Sequence, residues 1–257
     1  MIADGKHIAQ ILEEKLLGGF ANAPLKKVCF VLFGNDPASI QFIKIKTNIA
    51  ERLGIKVDLV TGPQNMITDQ ALGLMDEVNK ADYDGIVVQL PLPKQLDMEA
   101  ILNEIPKEKD IDVLGTSDKV APVAQAVLEI LNFYNISLED KKILVIGNGK
   151  LVGKPVAKML ADKGLIYEVV DKDTEEVVSN EKIKSADIII SGAGVPHMIK
   201  PEMIKEGAVL IDAGTSEQSG VLVGDVDPAC AEKASLITPV PGGVGPVTVV
   251  SLFANLL

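Results

Sequence analysis

The chain holds only two cysteines and two histidines among 257 residues, too few and too scattered for a covalent or metal framework. Cys29 lies in an apolar run that reads as core and Cys230 in a polar stretch, a pattern that matches neither a disulfide scaffold nor a zinc signature. His7 and His197 have no second ligand at helical spacing, so no metal is expected. Long apolar runs are missing too. No stretch approaches the ~18 residues of a membrane span, and Met1-Ile2-Ala3-Asp4-Gly5-Lys6 has no leader-peptide core, so the expectation is a cytoplasmic protein with no membrane partner. Positive charge is in deficit, 25 basic against 36 acidic residues for a net charge of -11, and such a surface repels nucleic acid. There is no P-loop, nucleophile elbow, solenoid repeat or low-complexity tract.

What is present is a globular composition, 47% hydrophobic against 24% charged, in a chain long enough for two domains. Asp4 can cap a helix to about Leu17 with Ile8, Ile11, Leu12 and Leu16 on one face. Alternation follows. Strands are predicted at 28–33, 57–60 and 85–90, and helices at 37–53, 69–79 and 97–105. The polar segment 107–118 is a candidate cleft loop, and a helix at 124–134 links to a second series. That series has strands at 143–146, 168–170, 188–191 and 209–211 and a helix at 152–163. The fold class is therefore α/β, with two α/β domains, the second Rossmann-like and nucleotide-binding, and a cleft between them. The expected division is 1–122 plus 239–257 for one domain and 123–238 for the other.

Three places could carry chemistry. The run from Thr238 to Thr248, with Pro239, Pro241, Gly242, Gly243, Gly245 and Pro246, is neither helix nor strand interior and reads as one unusual loop at a junction, followed by a short closing helix. The turn Gly147-Asn148-Gly149-Lys150-Leu151-Val152-Gly153 lies between a strand and a helix, where a dinucleotide pyrophosphate is received. Its spacing has one residue more than G-x-G-x-x-G, so a plain tight turn is the alternative. Asp171 ends the next strand near the offset of a ribose-binding acid, or is a turn acid. Third, the helix after Asp36-Pro37 puts Ser39, Phe42 or Ile43, and Lys46 on one stripe. By composition alone Lys46 reads as a solvated edge. Gln89, polar at the end of a buried strand, either satisfies the core or bonds a functional group such as Lys46. The acids of Lys109-Asp110-Ile111-Asp112 read as solvated loop residues.

Taken in order, Asp4-Gly5-Lys6, Pro37-Ala38-Ser39 with Lys46, Asp84-Gly85-Ile86-Val87-Val88-Gln89-Leu90-Pro91-Leu92-Pro93, Lys109-Asp110-Ile111-Asp112, Val152-Gly153-Lys154-Pro155, Val223-Gly224-Asp225-Val226 and the Pro-Gly run resemble the bifunctional methylenetetrahydrofolate dehydrogenase/cyclohydrolase family across nearly the whole chain. The resemblance implies a homodimer acting on tetrahydrofolate derivatives with NAD or NADP. Methylenetetrahydrofolate is oxidised to the methenyl cation, which is hydrolysed to 10-formyltetrahydrofolate. It further implies that Lys46 is the central catalytic group, that Gln89 assists it and that Asp112 holds the pterin. Phe42, Pro241, Gly242 and Gly243 are expected on the substrate, and Gly147, Asn148, Gly149, Asp171 and Thr215 on the coenzyme. Asp171, and Asn148 where an arginine could have paired a phosphate, lean the expectation to NAD.

The chain departs from the family's pattern in places. Phe42 stands where the family has tyrosine, so its ring can stack but cannot hydrogen-bond. After Asp112 the family continues Gly-Phe-His and a longer loop, whereas Val113-Leu114-Gly115 leads here almost at once to Ala121-Pro122-Val123-Ala124.

Overall fold

The structure is a computed structural model that describes residues 1–21, 23–218 and 220–257. Residues with a buried alternating or continuous apolar pattern form two separate parallel sheets. The chain packs into two units, one of Leu12–Pro122 with Val249–Leu257, the other of Met1–Ile11 with Val123–Thr248. These packing units differ from the expected division: residues 1–11 and 239–248 belong with the second series of strands.

The first unit contains most of α1 (Gly5–Phe20), then β1 (Lys27–Phe33), α2 (Pro37–Arg52), β2 (Lys56–Gly62), α3 (Thr68–Lys80), β3 (Gly85–Val88) and α4 (Met98–Asn103). The three strands are parallel in the order β2-β1-β3, and β1, the central one, is almost wholly buried. A core of Phe33, Met75, Ile86, Ile101 and Leu102 packs α3 and α4 on one face. The Asp4 carboxylate caps α1 by accepting the His7 N–H at 3.0 Å, as expected, but Ile11 is 42% exposed and lies off the buried stripe of Ile8, Leu12 and Leu16. β3 ends at Val88 rather than Leu90. The Gln89 N–H still reaches the Val31 carbonyl at 2.9 Å, yet Pro91 has no N–H to continue the ladder.

The second unit begins with α5 (Pro122–Phe133) and runs through β4 (Ile143–Ile146), α6 (Gly153–Asp162), β5 (Tyr167–Val170), α7 (Glu176–Ser185), β6 (Ile188–Ser191) and β7 (Val209–Asp212). A small antiparallel hairpin, β8 (Ser216–Gln218) and β9 (Val221–Val223), precedes β10 (Leu236–Ile237) and α8 (Val244–Ala254), whose residues from Val249 on belong to the first unit. The sheet order β10-β7-β6-β4-β5 is parallel throughout. Helix α7, β8, β9 and β10 are additions to the sequence reading. In α7 only Ile183 is buried while Val177 is 68% exposed, so there was no apolar stripe to detect. Cys29 and Cys230 are both fully buried; Cys230 sits in the core of this unit despite its polar neighbours, and burial pushes its thiol up to about 11.

Helix α8 starts at Val244, inside the Pro-Gly run. Gly245 and Pro246 are therefore first-turn residues, where a missing N–H costs nothing because those donors have no intrahelical partner. The irregular loop shrinks to residues 238–243. Gly242 has φ +104, and the Gly243 N–H closes the turn on the Pro239 carbonyl at 2.8 Å.

Candidate active site

In the first unit, chemistry gathers where β1 and β3 end. Asp36 opens α2: its carboxylate accepts the Ser39 N–H at 2.8 Å, which fixes the helix start and the phase of everything on it. Pro37 takes the first helical position. From there Ser39 and Ile43 face the core, 1% and 5% exposed, and Lys46, one turn on, is drawn inward with its side chain only 14% exposed. That corrects the reading of Lys46 as a solvated edge. The Lys46 Nζ donates to Gln89 Oε1 at 3.2 Å and lies 3.5 Å from Asp112 Oδ2. Gln89, 7% exposed, spends its amide on the Leu90 carbonyl at 2.6 Å, so its oxygen is held toward the lysine. Of the two alternatives left open for Gln89, both hold: it is satisfied within the core and bonded to Lys46. Phe42 is 46% exposed, one helical turn before Lys46.

Asp112 is placed by a brace that the sequence reading missed. Asp110 is fully buried, not solvated, and accepts the N–H groups of Val113 at 2.8 Å, Leu114 at 3.4 Å and Gly115 at 2.9 Å. Burial raises its pKa, opposed by those three donors. The segment is tied to β3 by the Ile86 N–H on the Lys109 carbonyl at 2.8 Å, and Asn255 donates to the Ile111 and Val120 carbonyls. Asp-x-x-x-x-Gly was the available signal, since a short acid followed by glycine is a common way to close a backbone loop.

In the second unit, the carboxyl edge of the sheet is one row. Val170 pairs with Ile146, Ile146 with Ser191, and Ser191 with Asp212. Just beyond that row lie Asp171, Gly147 and Gly192. Because β5 departs to one side of β4 and β6 to the other, the crevice above β4 and β6 is the switch point where α/β sheets receive ligands. The turn fits the phosphates of a dinucleotide. A Cβ on Gly147, which has φ +93, would stand 2.7 Å from the Gly192 carbonyl oxygen, and one on Gly153 would overlap the Gly147 carbonyl. Helix α6 has no side-chain cap at its N-terminus, so its first N–H groups can face an anion. Asn148, Gly149 and Thr215 are exposed on this edge. The Asp171 Oδ1 accepts the Asp173 N–H at 3.1 Å and the Thr174 hydroxyl at 3.3 Å, which orients its carboxylate.

A doubly wound parallel sheet with a glycine turn at its switch point, joined to an α/β unit that carries a lysine–glutamine–aspartate cluster, defines a two-unit nucleotide-dependent enzyme class. The chain belongs to the tetrahydrofolate dehydrogenase/cyclohydrolase family: the model of its catalytic domain matches residues 3–112, and that of its NAD(P)-binding domain matches residues 121–257. The chain is 38% identical to the bifunctional protein FolD of Aquifex aeolicus, with 100% of this chain and 94% of that protein covered. Among solved structures it is similar to the bifunctional FolD of Campylobacter jejuni, with TM-score 0.92, 32% identity and coverage of 100% and 96%. It is also similar to the Trypanosoma brucei enzyme complexed with NADP and an inhibitor, with TM-score 0.92, 31% identity and coverage of 100% and 95%. Among the described residues no helix is long and apolar enough to cross a membrane.

Proposed function

We propose that this chain oxidises 5,10-methylenetetrahydrofolate with a nicotinamide coenzyme and hydrolyses the resulting methenyl cation to 10-formyltetrahydrofolate, and that Lys46, Gln89 and Asp112 carry the chemistry at the folate. Family membership over the whole chain supports both activities. The observation that carries the residue assignment is the Lys46 amine held between Gln89 Oε1 and Asp112 Oδ2.

In the oxidation a hydride leaves the bridging methylene carbon, and the coenzyme that Gly147, Asn148 and Gly149 would hold would supply its acceptor. In the hydrolysis water adds to the bridging carbon and a C–O bond forms. The water's protons pass to a base, the bond from that carbon to N5 breaks, and N5 takes up a proton, leaving the formyl group on N10 with one proton released overall. Lys46 is the group assigned to move these protons, since general acid–base catalysis needs a positioned side chain within hydrogen-bond reach. Two acceptors aim its N–H donors and fix the amine. Asp112, the carboxylate of the cluster, is the acceptor assigned to the pterin N–H groups. Phe42, half-exposed on the same helix, offers a ring face to the substrate, with Pro241, Gly242 and Gly243 assigned to the same ligand.

For the coenzyme, Gly147, Asn148 and Gly149 would hold the pyrophosphate, with Asp171 on the ribose and Thr215 beside it. The preference we assign is NAD over NADP, because the Asp171 carboxylate can accept ribose hydroxyls but would meet the extra phosphate as a like charge. By function rather than packing, the division is 1–122 with 239–257 for folate and 123–238 for coenzyme, in a cytoplasmic homodimer.

Lys46→Met keeps the bulk and removes the amine. Methenyl hydrolysis, followed by loss of the methenyl absorbance, should fall by at least about 10²-fold, the scale of a lost acid–base group. Titration with reduced coenzyme should be unchanged. Wild-type hydrolysis by this variant would remove Lys46 from the mechanism.

A further inference from the structure

The second unit buries two carboxylates that the folate chemistry does not use. Asp225 is 0% and Asp212 2% exposed. Burying a carboxylate is unfavourable unless donors surround it, and these two are surrounded. Asp225 accepts the Ser191 hydroxyl at 2.7 Å, the Ala193 N–H at 2.7 Å and the Val195 N–H at 2.8 Å. Asp212 accepts the Gly214 N–H at 3.0 Å, the Asp225 N–H at 3.2 Å and the Val226 N–H at 2.8 Å. The packing leaves no slack: a Cβ on Gly214 would overlap the Asp225 carboxylate.

The donors to Asp225 have a meaningful pattern. They come from residues 191, 193 and 195, the end of β6 and the loop that leaves it, so one carboxylate gathers that loop around itself. The same loop is the wall of the switch-point crevice. Ser191 pairs with Ile146, the Gly192 N–H bonds the Ile146 carbonyl at 2.8 Å, and the Gly192 carbonyl is the atom closest to the space above Gly147. Asp212, the next residue in the same row, holds Gly214 beside Thr215 and anchors the backbone of Asp225 itself. The 192–196 loop, exposed at Gly194 and Val195, is otherwise held by the Gly192 N–H at its start and by the Ser216 hydroxyl on the Gly194 carbonyl at 2.9 Å, so the Asp225 carboxylate supplies its Ser191, Ala193 and Val195 contacts.

We infer that Asp225, anchored by Asp212, is a positioning residue for the coenzyme: it sets the β6 loop as a preformed wall of the dinucleotide crevice and so governs the dehydrogenase reaction while leaving methenyl hydrolysis alone. This rests on the function proposed above. Preorganisation of a wall lowers the ordering cost of binding, so its loss appears as weaker coenzyme affinity more than as slower chemistry.

The test uses the full-length protein. Asp225→Asn keeps the shape but turns one acceptor oxygen into a donor that must face either the Ser191 and Ala193 donors or the Val195 N–H, and Ser191→Ala removes a single donor. The KM and the directly titrated Kd for coenzyme should rise about tenfold in Asp225→Asn and by about threefold in Ser191→Ala, less than the full worth of a hydrogen bond to a charged group because only the ordering of the loop is passed on to coenzyme binding. The kcat at saturating coenzyme and the kcat/KM of methenyl hydrolysis, which uses no coenzyme, should stay within about twofold. Should Asp225→Asn not fold, Ser191→Ala decides alone. Coenzyme affinity within twofold of wild type in the folded variants overturns the inference, as does a parallel loss of both reactions, which a merely structural role would produce. Wild-type turnover tests the proposed function separately, because direct titration reads the brace without turnover.

Discussion

Lys46 sits on a helix face that half-faces solvent, and what draws it in is its partners. An ammonium with a 14% exposed side chain loses hydration, and the Gln89 oxygen and the Asp112 carboxylate restore the lost hydrogen bonding and charge balance. The same logic makes Asp171 informative at the scale of one residue. Its Oδ1 is already committed to its own turn, so the carboxylate has a fixed direction rather than a free one. A phosphate at ~4 Å from a carboxylate is opposed by up to about 4 kcal/mol at an effective dielectric of 20, and solvent reduces that. Even a third of it is worth about tenfold. The kcat/KM ratio of NAD to NADP should therefore exceed one in the wild type and fall by about tenfold in Asp171→Ser. A wild type that prefers NADP, or a ratio that does not move, would reduce Asp171 to a turn residue and leave the exposed Lys172 beside it as the group that answers the phosphate.

At the scale of elements, the loop between α4 and α5 shows how a departure from the family's pattern is accommodated. Val113 stands where the family has glycine, and it holds φ +59, in the left-handed region that a β-branched residue enters only under strain. The bonds from Asp110 hold it there: the Val113 N–H is one of the three that the buried carboxylate gathers. Such strain is worth about 1–3 kcal/mol, and the extra unfolded-state freedom of glycine offsets about 0.5–1 kcal/mol of it. Val113→Gly is thus expected to stabilise the protein by about 1 kcal/mol in urea unfolding, with Val113→Asn changing in the same direction because Asn tolerates this conformation. Destabilisation in both would mean that the valine side chain contributes more by packing than its backbone loses. The elements themselves were largely legible. β1, α2, α3, β4, α6 and β6 lie within a few residues of their predicted bounds, because each carries a continuous apolar run or a buried stripe, and β2 does so on Val57, Leu59 and Val60 although only Gly62 is buried in it. Helix α7 and the β8–β9 hairpin were not legible, since they bury almost nothing that a pattern could register.

For the molecule as a whole, acid sensitivity follows from which carboxylates are buried in it. Asp212 is pushed up to about 6 by burial first, with three N–H donors opposing and the neighbouring Asp225 charge adding to the rise. A folded-state value above the unfolded 3.8 means that the native protein holds the proton more tightly. The contribution is fully present below about pH 4 and is lost as pH rises to about 6. At 1.36 kcal/mol per pKa unit it is worth up to about 3 kcal/mol. Half-buried, paired acids such as Asp58 and Asp187 are shifted downward and act in the opposite sense at lower pH. The clean observable is therefore the difference between wild type and Asp212→Asn. Between about pH 4 and 6 wild-type unfolding free energy should drop relative to the variant, and parallel curves would show that Asp212 does not titrate there.

The sequence by itself determined the α/β class, two parallel sheets, the glycine turn and the family, because apolar periodicity and backbone-special residues act over a few neighbours and leave their mark in order along the chain. It also supplied, through the resemblance, the names of Lys46, Gln89 and Asp112. Only the tertiary structure decided that Lys46 is drawn in rather than solvated, that Asp110, Asp212 and Asp225 are buried braces rather than surface acids, and that Cys230 is core. For Lys46, Asp212 and Asp225 the outcome turns on distant partners, as in Asp225 with Asp212 and Lys46 with Gln89 and Asp112, whereas Asp110 gathers N–H groups only three to five positions on. A charged side chain has no fixed preference for burial that its own neighbours can reveal; the donors or acceptors that other elements bring to it decide.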